Sequence, residues 1–283
     1  MNGGGPQDGR RMGETVNWGG LTALIAPAEQ QGGTVGVTVV PPLGEPFAHR
    51  GDRPFRAASP VKIPIMIELY RQIDAGVRGL DDRYRLRTAD RTAGSGVLRE
   101  LHEGTELTLR DLIYLMISIS DNTATNVLID LAGMDNVNAT MRSLGMTRST
   151  LGRKMKGRPA QGDEQENWAT PNDYARVIAA ILAHEAASPD ACERMVAMLE
   201  TQSCKRRIAR YLPDGEGIRW GSKTGQITGV TNDVGFVMTE RGTLIVSVFC
   251  EALPDPHVGE QLIGEIARAA MRATGTVEPL YTS

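Results

Sequence analysis

Residues 34–40, TVGVTVV, are β-branched and lie between Gly33 and the Pro41-Pro42 pair, a pattern that predicts a strand. The polar stretch GEPFAHRGDRPF that follows suits the second strand of a hairpin. From Ser59 to about Asp74 the period changes: Ile65, Ile67, Leu69, Tyr70 and Ile73 predict a helix that stops at Ala75-Gly76. Thr108 and Asp111 have the spacing of a capping box, and the residues after them, LIYLMISI among them, leave almost no polar face. A helix apolar all round is expected to be buried. Another helix is predicted from about Thr123 to Ala132, closed by Gly133.

Residues 152–167 are polar and rich in breakers, so they read as a loop. Thr170 and Pro171 then open a helix through DYARVIAAILAHEAA, and a further helix covers about Asp190 to Thr201. Three strand-like segments follow: IRWGSKTG, TNDVGFVMT and GTLIVSVFCEAL. Last comes an amphipathic helix with Leu262, Ile266 and Ala269/Ala270 on one face, Glu260 in its first turn and Arg272 in its last. Hairpin-length connections make the sheet antiparallel. The fold class is therefore α+β: a five-stranded antiparallel sheet flanked by helices, with a mainly helical lobe inserted. Residues 1–17 read as a disordered arm. One domain fills 18–283, with an α/β lobe at about 18–58 and 210–283 and a helical lobe at about 59–209.

Composition narrows the choice of function. The 283 residues are 41% hydrophobic and 23% charged, an ordinary globular balance. A net charge of −3 with 5% aromatic residues gives no reason to expect nucleic acid or an anionic membrane as partner. Cys192, Cys204 and Cys250 show no CxxC spacing, so neither a disulfide framework nor a metal is expected, and no motif calls for a cofactor. Arg10-Arg11 is followed by no apolar stretch, so the expectation is a soluble, cytoplasmic protein.

Three short motifs carry candidate chemistry. In Ser59-Pro60-Val61-Lys62, a helix starting with Ser59 as N-cap puts Lys62 one turn on, over the same face. An amine whose pKa is lowered by burial can take the serine proton, and the helix N-terminus offers N–H groups to a developing oxyanion. Ser120-Asp121-Asn122 projects short polar side chains from the end of a buried helix. Lys223-Thr224-Gly225 lies on a strand, where Gly225 permits close approach and its neighbours offer an ammonium and a hydroxyl to an anion. Each motif alone also has a bland reading: chance, a helix end, an edge-strand lysine. Together, in this order and on these elements, they are hard to obtain by chance.

The set resembles the active-site-serine, penicillin-recognising enzymes, and is most similar to the class A β-lactamases. Phe55 ahead of the serine, the Thr170-Pro171 helix entry and Thr231-Asn232-Asp233 after the KTG strand extend the resemblance. It implies Ser59 as nucleophile, Lys62 as its proton acceptor, and Ser120 as donor to the leaving nitrogen. Asn122 would hold Lys62 and the substrate amide. Lys223, Thr224 and Gly225 would receive a substrate carboxylate, with the backbone N–H groups of Ser59 and Gln226 as oxyanion hole. Arg207 would clamp the carboxylate, or else belong to a solvated KRR cluster. Class A enzymes carry an E-x-x-x-N loop whose glutamate activates the deacylating water. Here the stretch after Leu151 reads GRKMKGR, and Asp163, Glu164 and Glu166 come too late for that role.

The expected function is thus a serine hydrolase that forms an acyl-enzyme on a small, carboxylate-bearing β-lactam or related amide or ester, with slow deacylation. A transacylase or peptidase that passes the acyl group to another acceptor is the alternative within enzymes. A non-catalytic penicillin-binding sensor is the alternative outside them.

Overall fold

The computed structural model describes residues 16–213 and 217–276. Most of the expected N-terminal arm therefore lies outside the described residues. In chain order the elements are α1 (Gly19–Gln30), β1 (Thr34–Val40), β2 (Phe47–His49), β3 (Phe55–Arg56), α2 (Lys62–Asp74), β4 (Arg83–Arg85) and β5 (Glu106–Thr108). Then come α3 (Leu109–Ser118), α4 (Asn122–Ala132), α5 (Met134–Ser143), β6 (Trp168–Ala169), α6 (Pro171–Leu182) and α7 (Pro189–Glu200). The chain closes with β7 (Arg219–Ile227), β8 (Val230–Thr239), β9 (Gly242–Glu251) and α8 (Pro256–Thr274).

The main sheet has the order β2-β1-β9-β8-β7, and every pairing in it is antiparallel. Alternation along its strands sorts side chains between two cores. Val35, Val37, Val39, Val246 and Val248 meet Leu21 and Ile25 of α1 and Ile263, Ile266 and Ala267 of α8 on one face. Phe236, Phe249 and Val234 meet α6 and the helical lobe on the other. A second, two-stranded pairing joins β3 to β6, with Arg56 opposite Trp168. It leads the chain straight into Ser59.

Several expectations needed correction. Helix α1 was not anticipated, because Gly19, Gly20 and Pro27 mask its apolar spacing of Leu21, Ile25 and Ala28. Helix α5 buries Val137 and Met141, with Met134 partly buried beside them, too thin an apolar stripe to predict it from sequence. Helix α3 is not buried all round: the capping box of Thr108 and Asp111 forms, but Arg110 and Tyr114 face solvent. Helix α8 begins earlier than expected, at Pro256 behind an Asp255 cap, so Glu260 sits beyond the first turn. There it is buried and pairs with Arg206 at 3.1 Å and Arg207 at 3.4 Å.

Candidate active site

Ser59 does not cap an α-helix. It starts a 3₁₀ turn, Ser59–Val61, in which the Lys62 N–H donates to the Ser59 carbonyl, and Ala58 precedes it at φ 47°, ψ −137°. In a 3₁₀ turn residues three apart eclipse one another, so the S-x-x-K spacing stacks Lys62 directly over Ser59. The positive φ at Ala58 is costly for a residue with a Cβ, of order 1–3 kcal/mol, and surrounding contacts must hold it.

One such contact comes from β8. Asn232 is fully buried, and its Nδ2 donates to the carbonyls of Arg56 (2.9 Å) and Ala57 (3.1 Å). Its Oδ1 accepts from Cys250 N–H at 3.2 Å. The tripeptide Thr231-Asn232-Asp233 was conspicuous in the sequence as a match, but this tethering role was not legible there. The partner of Asn232 across the ladder is Gly225 of β7. A Cβ built on Gly225 would lie 2.4 Å from Pro60 Cδ and 3.1 Å from Ser59 N. The glycine is therefore what lets the KTG strand close on the serine turn.

The third element arrives between α3 and α4. Ser120 takes φ 60°, a left-handed conformation, and its Oγ donates to Ser59 Oγ at 2.8 Å. Lys62 Nζ contacts three oxygens: Ser120 O at 2.8 Å, Ser120 Oγ at 2.9 Å and Asn122 Oδ1 at 2.9 Å. Asn122 Nδ2 donates to Ala93 O at 3.0 Å, which fixes the orientation of its amide. Asp121, given no role from sequence, organises the turn. Its Oδ2 accepts from Val97 and Leu98 N–H, both at 2.7 Å, and its Oδ1 caps α4 through Ala124 N–H at 2.9 Å. The signal for it was an Asp immediately ahead of a predicted helix.

Burial sets the electrostatics. Lys62 and Lys223 are both 0% exposed. Burial above all, and then the charge of Lys223, hold the Lys62 amine well below the usual lysine range, against the opposing pull of Asp121. Burial likewise lowers Lys223 to about 7; Asp233 opposes the shift and Arg207 adds to it. Thr224 is half-buried and Gln226 exposed, so the KTG strand presents its hydroxyl and its edge to the cleft.

Arg207 departs from both expectations held for it. It is 2% exposed, so it is no solvated cation. Its Nη1 donates to Gly225 O (2.9 Å) and Asn232 O (2.7 Å), and its Nη2 to Gln226 Oε1 (2.6 Å) and Glu260 Oε1 (3.4 Å). The buried carboxylate of Glu260 requires a cation, and two strand carbonyls and the Gln226 amide oxygen accept from the other Nη hydrogens. Arg207 thus braces β7 and β8 from behind, in place of clamping a substrate.

The loop acids are also engaged elsewhere. Glu166 accepts from Arg153 Nη2 at 3.0 Å and from the N–H groups of Ala160 and Asn167. Glu164 is held by Lys156 and Arg158. Met155 is buried, its N–H and carbonyl both bonded to the Asn126 side chain.

A serine hydroxyl hydrogen-bonded through a second serine to a buried amine, beside a lysine-bearing strand, defines an active-site-serine hydrolase of the acyl-enzyme type. The profile of the Beta-lactamase enzyme family matches residues 20–274, and the chain belongs to that family. It is 62% identical to the crystal structure of a beta-lactamase from Sphaerobacter thermophilus, with a TM-score of 0.92 over 93% of this chain and 100% of that one. A beta-lactamase of Rhodobacter capsulatus is 33% identical over 60% of this chain and 59% of its own length. Beta-lactamase FAR-1 of Nocardia farcinica is 29% identical over 89% of this chain and 82% of its own.

Proposed function

We propose that this protein opens β-lactams through an ester on Ser59 and releases the product slowly. The substrate carboxylate docks on Lys223 and Thr224, and its lactam carbonyl oxygen lies between the backbone N–H groups of Ser59 and Gln226. Ser59 Oγ attacks the carbonyl carbon while its proton moves through Ser120 Oγ to the Lys62 amine. The C–N bond then breaks, the leaving nitrogen takes a proton from Ser120, and Lys62 resupplies that proton. An ester and a free amine result, and Lys62 is neutral again.

The observation that carries this reading is the three-way contact of Lys62 with Ser120 and Asn122. Slow release is supported by the engaged carboxylates of Glu164 and Glu166. A missing general base costs roughly 10²–10⁴-fold in a proton-transfer step. Stopped-flow with a chromogenic cephalosporin tests both halves. A stoichiometric burst followed by a slow steady phase is expected. Turnover without a burst would remove the slow-release half, and neither burst nor turnover from folded protein would remove the whole proposal. Acceleration of the slow phase by an added amine would shift the reading toward acyl transfer.

A further inference from the structure

A cavity of about 850 Å³ is bounded by Arg53, Pro54, Arg56, Thr147, Arg148, Ser149, Thr150, Trp168 and Glu251. It shares no side chain with the catalytic set. Its volume falls in the range of about 300–1,000 Å³ usual for small-molecule sites. Strand register builds its floor. Arg56 pairs with Trp168 across β3 and β6, and Thr150 bridges Trp168 on the other side. Cross-strand partners project to one face, so a guanidinium, an indole and a hydroxyl stand side by side.

The charges around it do not balance. Glu251 is its one lining carboxylate, and it already pairs with Arg53 at 3.1 Å and Arg56 at 3.9 Å and accepts the Arg56 N–H at 2.9 Å. Glu166 stands 4.0 Å from Arg56 but carries Arg153 at 3.0 Å. Arg148 is exposed, and among the described residues no carboxylate lies within ion-pair distance of its guanidinium. Its backbone N–H is anchored to Asp173 at 3.0 Å, so the head group is displayed from a fixed point. Trp168 is 37% exposed, leaving ring surface open beside it.

We infer that this cavity is a second, non-catalytic site for an aromatic monocarboxylate. The carboxylate pairs with the fork of Arg148 and the hydroxyl of Thr147, and the ring lies against Trp168 and Pro54. Two of the three guanidinium groups have a carboxylate within 4.0 Å and one has none, which matches a ligand of single charge. Arg is suited to this role because its planar fork meets a carboxylate with two parallel bonds.

Isothermal titration of the full chain with 2-naphthoate and with neutral 2-naphthamide tests the assignment. The catalytic cleft also receives carboxylates, so Thr224→Val is run beside Arg148→Ala. Naphthoate should bind the wild type, bind Arg148→Ala roughly tenfold or more weakly, and bind Thr224→Val unchanged. Naphthamide should be weakened as the arginine variant is. Undetectable binding, equal binding of the amide, or a loss confined to Thr224→Val would each overturn the site. None of these outcomes bears on acylation of Ser59.

Discussion

Lys62 Nζ and Ser120 Oγ lie 2.9 Å apart, and the other two contacts of the amine, Ser120 O and Asn122 Oδ1, are acceptors only. An ammonium would donate to all three. A neutral amine has two hydrogens for the two obligate acceptors and a lone pair left, which takes the Ser120 hydroxyl proton only once that proton turns away from Ser59 Oγ, its partner in the resting site. Burial and the neighbouring charge of Lys223 favour that neutral form. On the reading proposed above, Lys62 is the base in acylation.

This assignment fixes the pH dependence of kcat/KM. Below the lowered pKa of Lys62 the amine is protonated and acylation is lost, which gives an acid limb. Above about 7 the free protein loses the Lys223 charge that receives a carboxylate, which gives an alkaline limb. A substrate with its carboxylate esterified should keep the first limb and lose the second. Two alkaline limbs of equal slope would contradict the role given to Lys223.

Stability follows the same amines. Folded Lys223 sheds its proton near 7, whereas an ordinary lysine keeps it to 10.5, so the unfolded chain binds more protons between those values. Its contribution to stability therefore rises with pH through that window. Urea unfolding at several pH values should show a shallower rise in Lys223→Met than in the wild type.

Ser120 pays for its position with φ 60°. Ser120→Ala loses the hydroxyl and keeps the strained backbone, whereas Ser120→Gly loses both. The glycine variant should be more stable than the alanine variant by about 0.5–1 kcal/mol, the left-handed cost less the extra chain entropy of glycine. Both should acylate at least roughly 100-fold more slowly. Chemical denaturation and single-turnover kinetics on the pair check the two halves separately.

Gly225→Ala should push β7 off the serine turn, since the new methyl would meet Pro60 and Ser59 N. On the proposed reading this displaces the Gln226 oxyanion donor from that of Ser59. Acylation should fall by roughly 10²–10³-fold, as when one oxyanion donor is lost. An Asn232→Ala change should act on the same geometry from β8. It strips donors from the Arg56 and Ala57 carbonyls and should cost about 1–3 kcal/mol in urea unfolding, with a fall in acylation rate. Wild-type kinetics in either variant would show that the tether and the close approach are incidental.

The main strands and the three motifs that meet at Ser59 are legible in sequence because each is a local pattern. TVGVTVV and GTLIVSVFCE are β-branched, apolar runs bounded by Gly and turn residues, and S-x-x-K, SDN and KTG are short patterns of fixed spacing. What was not legible depends on contacts far apart in the chain. Arg207 reads as one of three basic residues in a row; only the packing of α8 shows that Glu260 draws it inward. Asn232 gains its meaning from Arg56 and Ala57, far away in sequence. Helix α1 failed for a local reason, since its glycines and Pro27 outweigh three well-spaced apolar residues that the β-sheet later covers.

The most direct measurement is intact-mass spectrometry, with peptide mapping, after brief exposure to benzylpenicillin. Wild-type protein should gain one penicilloyl mass on the peptide that holds Ser59. Ser59→Ala should gain none, and Lys62→Ala should gain it far more slowly. A full adduct in Ser59→Ala, or an undiminished rate in Lys62→Ala, would contradict the account.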